Sequence, residues 1–503
     1  VIWFTSRMSA PVQVWSRRTV LGGLFAGAAS AAGAEALLRS PIPVSRPEDL
    51  RRRVETAWMV DRAGLSGKVA FALADASTGE ILQVRNPLLG LPPASVAKAI
   101  TAIYALETLG QDHRFATRVI ATGPVENGRL DGDLVLVGGG DPTLDTDMLG
   151  DLAAQMKAAG LREVRGRFLY HAGALPRLPL IDPTQPPHVG YNPAISGLNL
   201  NFNRVHFEWR RAGAGYDVTM DARAERYAPR VNVAHMQVVN RTAPVYTYSS
   251  KGGVDEWTVA QGALGSGGAR WLPVRRPAVY CAEVFQTLAR SHGIVLPAPE
   301  DADVAPRGTV LAENHSPPLA AVLRDMLKYS TNMTAEAVGL SATLARGAAV
   351  ASLPDSAQAM SAWLAGRTGT HKARFVDHSG LGDGSRISAI EMVRALVAVA
   401  PSGQLRELLK PVYLRDAKGQ PLRNHPVRIK AKTGTLNFVS ALAGYITPAT
   451  GRELAFAIFT ADMDRRATLS LDERDRPEGG RNWVARSRRL QRELVEAWAT
   501  GAV

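Results

Sequence analysis

Residues 427–462 read VRIKAKTGTLNFVSALAGYITPATGRELAFAIFTAD. Three apolar stretches, 427–433, 440–446 and 453–462, are separated by short turns, and this spacing predicts a three-strand antiparallel meander. The first strand ends in Lys432-Thr433-Gly434. Far upstream, 68–75 (KVAFALAD) is another apolar strand, Ser77-Thr78-Gly79 supplies a turn, and 80–85 returns with partial alternation. A helix is predicted over 47–62, with proline near its start and Glu48 and Asp49 in its first turn. Helical patterning also covers 317–327, 331–344, 354–366 and 388–400. Residues 483–498 close the chain as an amphipathic helix, with Trp483, Leu490, Leu494 and Trp498 on one face and arginines opposite. Strands at both ends of this segment imply a sheet whose halves meet only when the chain ends come together. The last helix is expected to pack across it near the first.

Three short signatures fall in order on this frame: Ser95-Val96-Ala97-Lys98, Ser330-Thr331-Asn332 and Lys432-Thr433-Gly434. The first opens a helix predicted over 95–109, so hydroxyl and amine lie one turn apart on one face and the lysine can take the serine's proton. A helix start also presents unpaired N–H groups and partial positive charge. The second signature, at a helix–helix junction, adds a hydroxyl and an amide, and the third adds a cation on a strand. Each alone is weak: an exposed helical pair, a chance Ser-x-Asn, a strand running into a turn. Their order and context make them one serine acyl-transfer site. Lys98 must be neutral to act as base, and burial together with the charge of Lys432 are the forces expected to lower its pKa.

Competing chemistry is poorly supported. No serine sits in Gly-x-Ser-x-Gly. Asp377-His378-Ser379 has the residue types of a triad, but consecutive residues cannot align as acid, base and nucleophile, so it reads as a loop. The ten histidines show no His-Glu-x-x-His or His-x-x-x-His pairing, and no metal or cofactor is expected. The single cysteine, Cys281, excludes an intrachain disulfide and reads as a small buried hydrophobe.

With 503 residues, 46% of them hydrophobic, the chain can bury a sizeable core, and its length suggests two to four domains. Lys and Arg outnumber Asp and Glu by 59 to 46, a net charge of +13 that favours anionic polymers or surfaces unless it reflects an arginine-rich background. No basic run is interleaved with aromatics, so no nucleic-acid partner is expected. From 111 to 307 the character shifts to short strands broken by glycine and proline, with candidates within 130–144 (LDGDLVLVGGGDPTL), 199–205, 216–220 and 231–239. No Gly-Lys-Ser/Thr follows Gly138-Gly139-Gly140, which reads as a structural turn rather than a phosphate cradle. This region carries none of the three signatures and looks inserted. At the N-terminus, Ser16-Arg17-Arg18-Thr19-Val20-Leu21 precedes a weakly apolar run, 20–34, ending in small residues. Residues 1–36 therefore read as a twin-arginine-type export signal, too short and small-sided for a membrane span. That places the mature chain in the periplasm or cell envelope.

The signatures are joined by Gly132-Asp133-Leu134 through Gly140-Asp141-Pro142, by 192–203 (NPAISGLNLNFN), by Ser316-Pro317-Pro318-Leu319 and by 433–445 (TGTLNFVSALAGY). Together, over about residues 45–470, they resemble the D-alanyl-D-alanine carboxypeptidase/endopeptidase family, the low-molecular-mass class C penicillin-binding proteins of peptidase family S13. The resemblance implies an α/β fold: a penicillin-recognising transpeptidase-like domain, an antiparallel sheet flanked by helices, from 41–110 plus 308–503. Inserted mainly-β domains would occupy 111–307 as two subdomains. It implies that Ser95 attacks the penultimate D-alanine carbonyl of a peptidoglycan stem peptide, with Lys98 as base, Ser330 relaying the proton and Asn332 binding the substrate amide. Lys432 and Thr433 would hold the terminal carboxylate, Gly434 would allow close approach, and the N–H groups of Ser95 and Thr435 would form the oxyanion hole. β-Lactams would acylate Ser95. Two residues depart from the pattern, Thr331 in the middle signature and His378 before Ser-Gly-Leu; neither removes a catalytic group, and both bear on substrate fit. A serine β-lactamase shares such a site but is usually compact, and a non-catalytic peptidoglycan-binding scaffold is the remaining alternative. Loose envelope association is compatible with the charge. Neither the oligomeric state nor the balance of carboxypeptidase and endopeptidase activity follows from these residues.

Overall fold

The meander forms. In the computed structural model Arg428–Leu436, Val439–Thr447 and Leu454–Ala461 pair successively antiparallel, Lys68–Asp75 joins the last of them, and Ile81–Arg85 and the two-residue Lys410–Pro411 stand at the two edges. The structure describes residues 47–416, 418–449 and 452–501. The chain divides at Arg52: Arg53–Val503 is one compact unit, and of the unit before it only 47–52, the start of the Pro47–Ala63 helix, is described. The stretch read as an export signal, 1–36, lies outside the described residues. Among the described residues no helix is long and apolar enough to cross a membrane.

Period-two alternation sorts the sheet residues onto two buried faces. Ala70, Ala72, Ala74, Ala441, Ala443, Ala455 and Ala457 face a helical layer that includes Ala97–Leu109, Leu319–Tyr329, Leu353–Thr368 and Ala389–Val399. The alternate residues, among them Phe71, Ile429, Ala431, Leu442, Phe456 and Ile458, pack with Val60, Leu490, Leu494 and Trp498 on the other face. The closing helix, Gly480–Thr500, thus covers the sheet with the first helix, and Arg62 pairs with Glu493 at 2.7 Å. Coverage of both faces explains why these strands read as nearly continuous apolar runs.

Three local readings change. The strand expected to stop at Thr433 continues to Leu436, because Gly434 serves close packing rather than a turn: a Cβ there would lie 2.6 Å from Pro93 O and 3.0 Å from Ser95 N. The chain turns instead at Asn437-Phe438, with Phe438 at φ 55°. Ser95, expected in the first turn of an α-helix, sits in a 3₁₀ turn, Ala94–Val96, ahead of Ala97–Leu109. Residues 199–205 do not form one strand, because Asn201, Phe202 and Asn203 all have left-handed φ (50°, 56° and 54°), and the strand starts only at Arg204. Asparagine tolerates this conformation through side-chain bonds to nearby backbone, here Leu200 N–H to Asn203 Oδ1 at 3.0 Å and Thr146 N–H to Asn201 Oδ1 at 3.2 Å.

Between the first two signatures lies a five-stranded sheet, ordered Pro299–Asp301, Phe168–His171, Leu134–Gly138, Ala116–Ala121 and Thr309–His315, together with three three-stranded sheets. A separate hydrophobic cluster, running from Val119 to Ala312, fills this region. The region is mainly β and also carries two helices, Thr146–Ala158 and Pro277–Ser291. Asp145 caps the first through Met148 N–H at 2.8 Å, and proline starts the second. Cys281 is buried on that second helix. Gly138 and Gly139 are packing glycines, each with a main-chain oxygen 2.3 Å from where a Cβ would stand.

Candidate active site

Lys410–Pro411 pairs only with Lys430 and Ala431, so the Arg428–Leu436 strand is a free sheet edge from Lys432 onward. The turn carrying Ser95 is seated against Gly434 of that edge. Ser330 ends the Leu319–Tyr329 helix in the left-handed region (φ 62°, ψ 38°), and Asn332 opens the next helix, Asn332–Ala345. Thr331 occupies the cap position of that helix without a side-chain capping bond. Ser95, Ser330, Asn332 and Thr435 line one cavity of about 1000 Å³, with Lys98 and Lys432 buried behind it.

Lys98 Nζ lies 3.1 Å from Ser95 Oγ, 2.7 Å from Asn332 Oδ1 and 2.8 Å from Ser379 O. The last two atoms can only accept. Asn332 is oriented by its own Nδ2, which donates to Tyr191 O at 2.9 Å. A neutral lysine therefore places its two hydrogens on Asn332 and Ser379, and its lone pair is left facing the Ser95 hydroxyl. Burial lowers the Lys98 pKa to about 8, against the opposing charges of Glu336 and Asp377. Lys432 Nζ donates to Ser330 Oγ at 3.0 Å and to Thr433 O at 2.7 Å; burial, then the charge of Lys98, lower its pKa to about 6. The expected influence thus runs the other way: Lys432 yields to Lys98, and burial is what depresses Lys98.

Several groups at the site had no place in the sequence reading. Glu336, one turn beyond Asn332, accepts the N–H groups of His378 and Ser379, each at 2.9 Å, and so holds the loop whose Ser379 carbonyl binds Lys98. Asp377 accepts those of Gly380 at 2.6 Å and Gly382 at 2.5 Å. Both carboxyls are fully buried, which raises their pKa, to about 8 for Glu336 and about 6 for Asp377. The i+4 spacing from Asn332 to Glu336 was the one available signal for the first. The loop reading of Asp377-His378-Ser379 stands, since the His378 ring meets Ser356 Oγ at 2.7 Å and Met360 Sδ at 3.4 Å instead of forming a triad. Burial lowers its pKa to about 3. The ring occupies space left by Gly339, where a Cβ would lie 2.1 Å from His378 Cγ.

A serine beneath a buried lysine, at the free edge of an antiparallel sheet flanked by helices, is the arrangement of a serine acyl-transfer hydrolase. The profile of the D-Ala-D-Ala carboxypeptidase 3 (S13) family matches residues 56–476, and the chain belongs to this family. It is similar to the D-alanyl-D-alanine carboxypeptidase of Actinomadura sp. (strain R39), 29% identical over 475 residues that cover 85% of this chain and 84% of that one. The fold is that of penicillin binding protein 4 (dacB) from Haemophilus influenzae: one crystal structure gives a TM-score of 0.68 at 21% identity, covering 84% of this chain and 98% of that one. A second, complexed with a β-lactam, gives 0.67 at 20% identity, covering 88% and 99%. The α/β penicillin-binding fold and the serine D-Ala-D-Ala carboxypeptidase class follow.

Proposed function

We propose that Ser95 is the nucleophile of a D-Ala-D-Ala carboxypeptidase/endopeptidase acting on peptidoglycan stem peptides, and that β-lactams acylate it. The observation that carries this is the donor count at Lys98, which leaves the lone pair of its neutral form to Ser95. Lys98 takes the Ser95 proton as Oγ attacks the penultimate D-alanine carbonyl; Ser330 passes a proton to the departing amine, and water releases the acyl group. Asn332 orients the substrate amide. The extended peptide adds as a strand along 432–436, where Gly434 keeps the edge close to Ser95 and Thr435 N–H joins Ser95 N–H as the oxyanion hole. Lys432, expected on the substrate carboxylate, is committed to Ser330 and Thr433 O, which suits it to steering Ser330; the carboxylate then falls to the Thr433 and Thr435 side of the strand.

The division into a discontinuous body and an inserted region, expected as 41–110 plus 308–503 against 111–307, is supported by the two large hydrophobic clusters. Its second boundary is better placed near 315, because Thr309–His315 pairs with Ala116–Ala121 in the inserted sheet and Ala312 packs in its cluster. A smaller cluster, with Leu175 and Ile195 against Met333 and Leu340, joins the two sides. Export by a twin-arginine-type signal to the periplasm or envelope, with loose attraction of the basic chain to anionic polymers there, belongs to the same proposal. Mass spectrometry after benzylpenicillin treatment tests it: one adduct is expected on Ser95 and none in Ser95→Ala, whereas an adduct elsewhere, or none, refutes the nucleophile. Nitrocefin separates the β-lactamase alternative: a single-turnover burst is expected, and sustained rapid hydrolysis would favour the lactamase.

A further inference from the structure

A peptide ending in a carboxylate calls for a cation, and the amine of Lys432 is buried and already bonded to Ser330 and Thr433 O. Lys432 and Gly434 point from the strand toward Ser330 and the 94–96 turn. Thr433 and Thr435 share the opposite face with Ile429 and Ala431, which pack in the cluster containing Leu490 and Leu494 of the Gly480–Thr500 helix. That helix is fixed to the neighbouring strand by Gln491 Nε2 donating to Ser440 Oγ at 3.0 Å, and Ser440 is the strand partner of Thr435. Trp483, Ser487 and Leu490 are its buried side, while Arg481, Val484, Ala485 and Arg488 line the cavity that holds Ser95.

Arg488 is exposed and donates through Nη2 to Thr435 Oγ1 at 3.1 Å, and no carboxylate pairs with it among the described residues. The other arginines near this wall differ. Arg466 and Arg474 are both bonded to Asp383, and Arg476 and Arg481 have no bond to the strand. With Arg488 donating into Thr435 Oγ1, the threonine's own proton is free for another acceptor. One guanidinium and one hydroxyl thus stand together beside the free strand edge, as donors for the two oxygens of a carboxylate.

We infer that Arg488, acting with Thr435, anchors the terminal carboxylate of the substrate and makes the enzyme selective for peptides and β-lactams that carry it. Arg488 lies beyond residues 56–476, the part matched to the family. The inference rests on the assignment of Ser95 as nucleophile. The test compares acylation by benzylpenicillin with that by its methyl ester in wild type, Arg488→Ala, Arg488→Lys and, as control, Arg489→Ala, an exposed arginine outside the cavity. In Arg488→Ala the second-order rate with the acid should fall about 10- to 100-fold, the scale of a lost charge-assisted hydrogen bond, and the ester rate should stay within twofold. Arg488→Lys should recover part of the loss, and Arg489→Ala should match wild type. Equal losses on acid and ester, or an acid rate in Arg488→Ala within twofold of wild type, overturn the role of Arg488 alone. A wild-type protein that benzylpenicillin does not label on Ser95 overturns the nucleophile assignment instead.

Discussion

Gly380→Ala should disable the site by moving its two halves apart. Gly380 has φ +75°, and a Cβ there would lie 1.9 Å from Ala94 O and 3.0 Å from Ala97 Cβ. Holding alanine in the left-handed region costs about 1–2 kcal/mol. Contacts of a Cβ below 3.0 Å are essentially never adopted, so the 377–382 loop and the 94–96 turn must part by roughly 1 Å, a displacement that costs about 100-fold in rate when it falls on reacting groups. Both sides matter: Ala94 precedes Ser95, and the loop carries the Ser379 carbonyl that takes one hydrogen of Lys98. Acylation by a fluorescent penicillin under pseudo-first-order conditions should therefore slow about 100-fold, with thermal unfolding recorded alongside. Gly366→Ala, in the Leu353–Thr368 helix with nothing within 4 Å of its Cβ, is the control and should gain up to about 1 kcal/mol in stability without changing acylation. An acylation rate for Gly380→Ala within threefold of wild type would refute the claim that this glycine sets the distance between loop and nucleophile.

If Lys98 is the base proposed above, the acylation rate should rise tenfold per pH unit up to about 8 and then level, because a lysine accepts a proton only in its neutral form. At pH 7 about one Lys98 in ten is then neutral, against roughly one in three thousand for an unshifted lysine, so a flat profile, or a limb centred near 10.5, would contradict the assignment. Glu336→Gln removes the carboxylate whose ionised form holds the Lys98 pKa up, so the same limb should move to lower pH; no movement, or movement to higher pH, would show that this carboxylate does not oppose burial at Lys98. It should also cost about 1–3 kcal/mol, since the amide nitrogen now faces one of the two loop N–H groups, as chemical denaturation would report. Gly339→Ala should destabilise strongly in the presence of His378, and much less on a His378→Gly background; additive losses in this cycle would show that the ring does not occupy the space above Gly339.

The frame was legible because its sheet is covered on both faces. Continuous apolar runs such as 68–75 and 439–447 leave few alternatives to strands, and of the helices between them Leu353–Thr368 and Ala389–Val399 carry serine caps, Ser352 and Ser388. Where the reading faltered, a backbone requirement outweighed the pattern. Gly434 looked like the end of a strand but is a packing glycine; Asn199 to Val205 looked β-forming but contains three left-handed residues. In the inserted region, glycine and proline punctuation on either side masks the periodicity of the Thr146–Ala158 and Pro277–Ser291 helices.

Legibility of the site divides along the same line. In the proposed mechanism Ser95, Lys98, Ser330, Asn332 and Lys432 act through side chains, the kind of role that residue type and spacing can signal. The groups that orient Lys98 act through the main chain: the Ser379 carbonyl binds its amine, and the Tyr191 carbonyl fixes the face Asn332 shows to it. A carbonyl is present at every residue and leaves no trace in composition. What the sequence does record is the support such a loop needs. Two carboxyls, Glu336 and Asp377, take four N–H groups of residues 378–382, and Gly380 lets the chain approach Ala94. An acidic residue one turn beyond Asn332, an Asp two residues before Ser379 and a glycine directly after it are thus the marks of a buried main-chain acceptor. Their worth can be tested at Asp377: Asp377→Asn should loosen the loop and slow acylation of Ser95, while Asp383, which spends its charge on Arg466 and Arg474 at the cavity wall, supplies the comparison with a carboxylate that does not touch the loop's N–H groups.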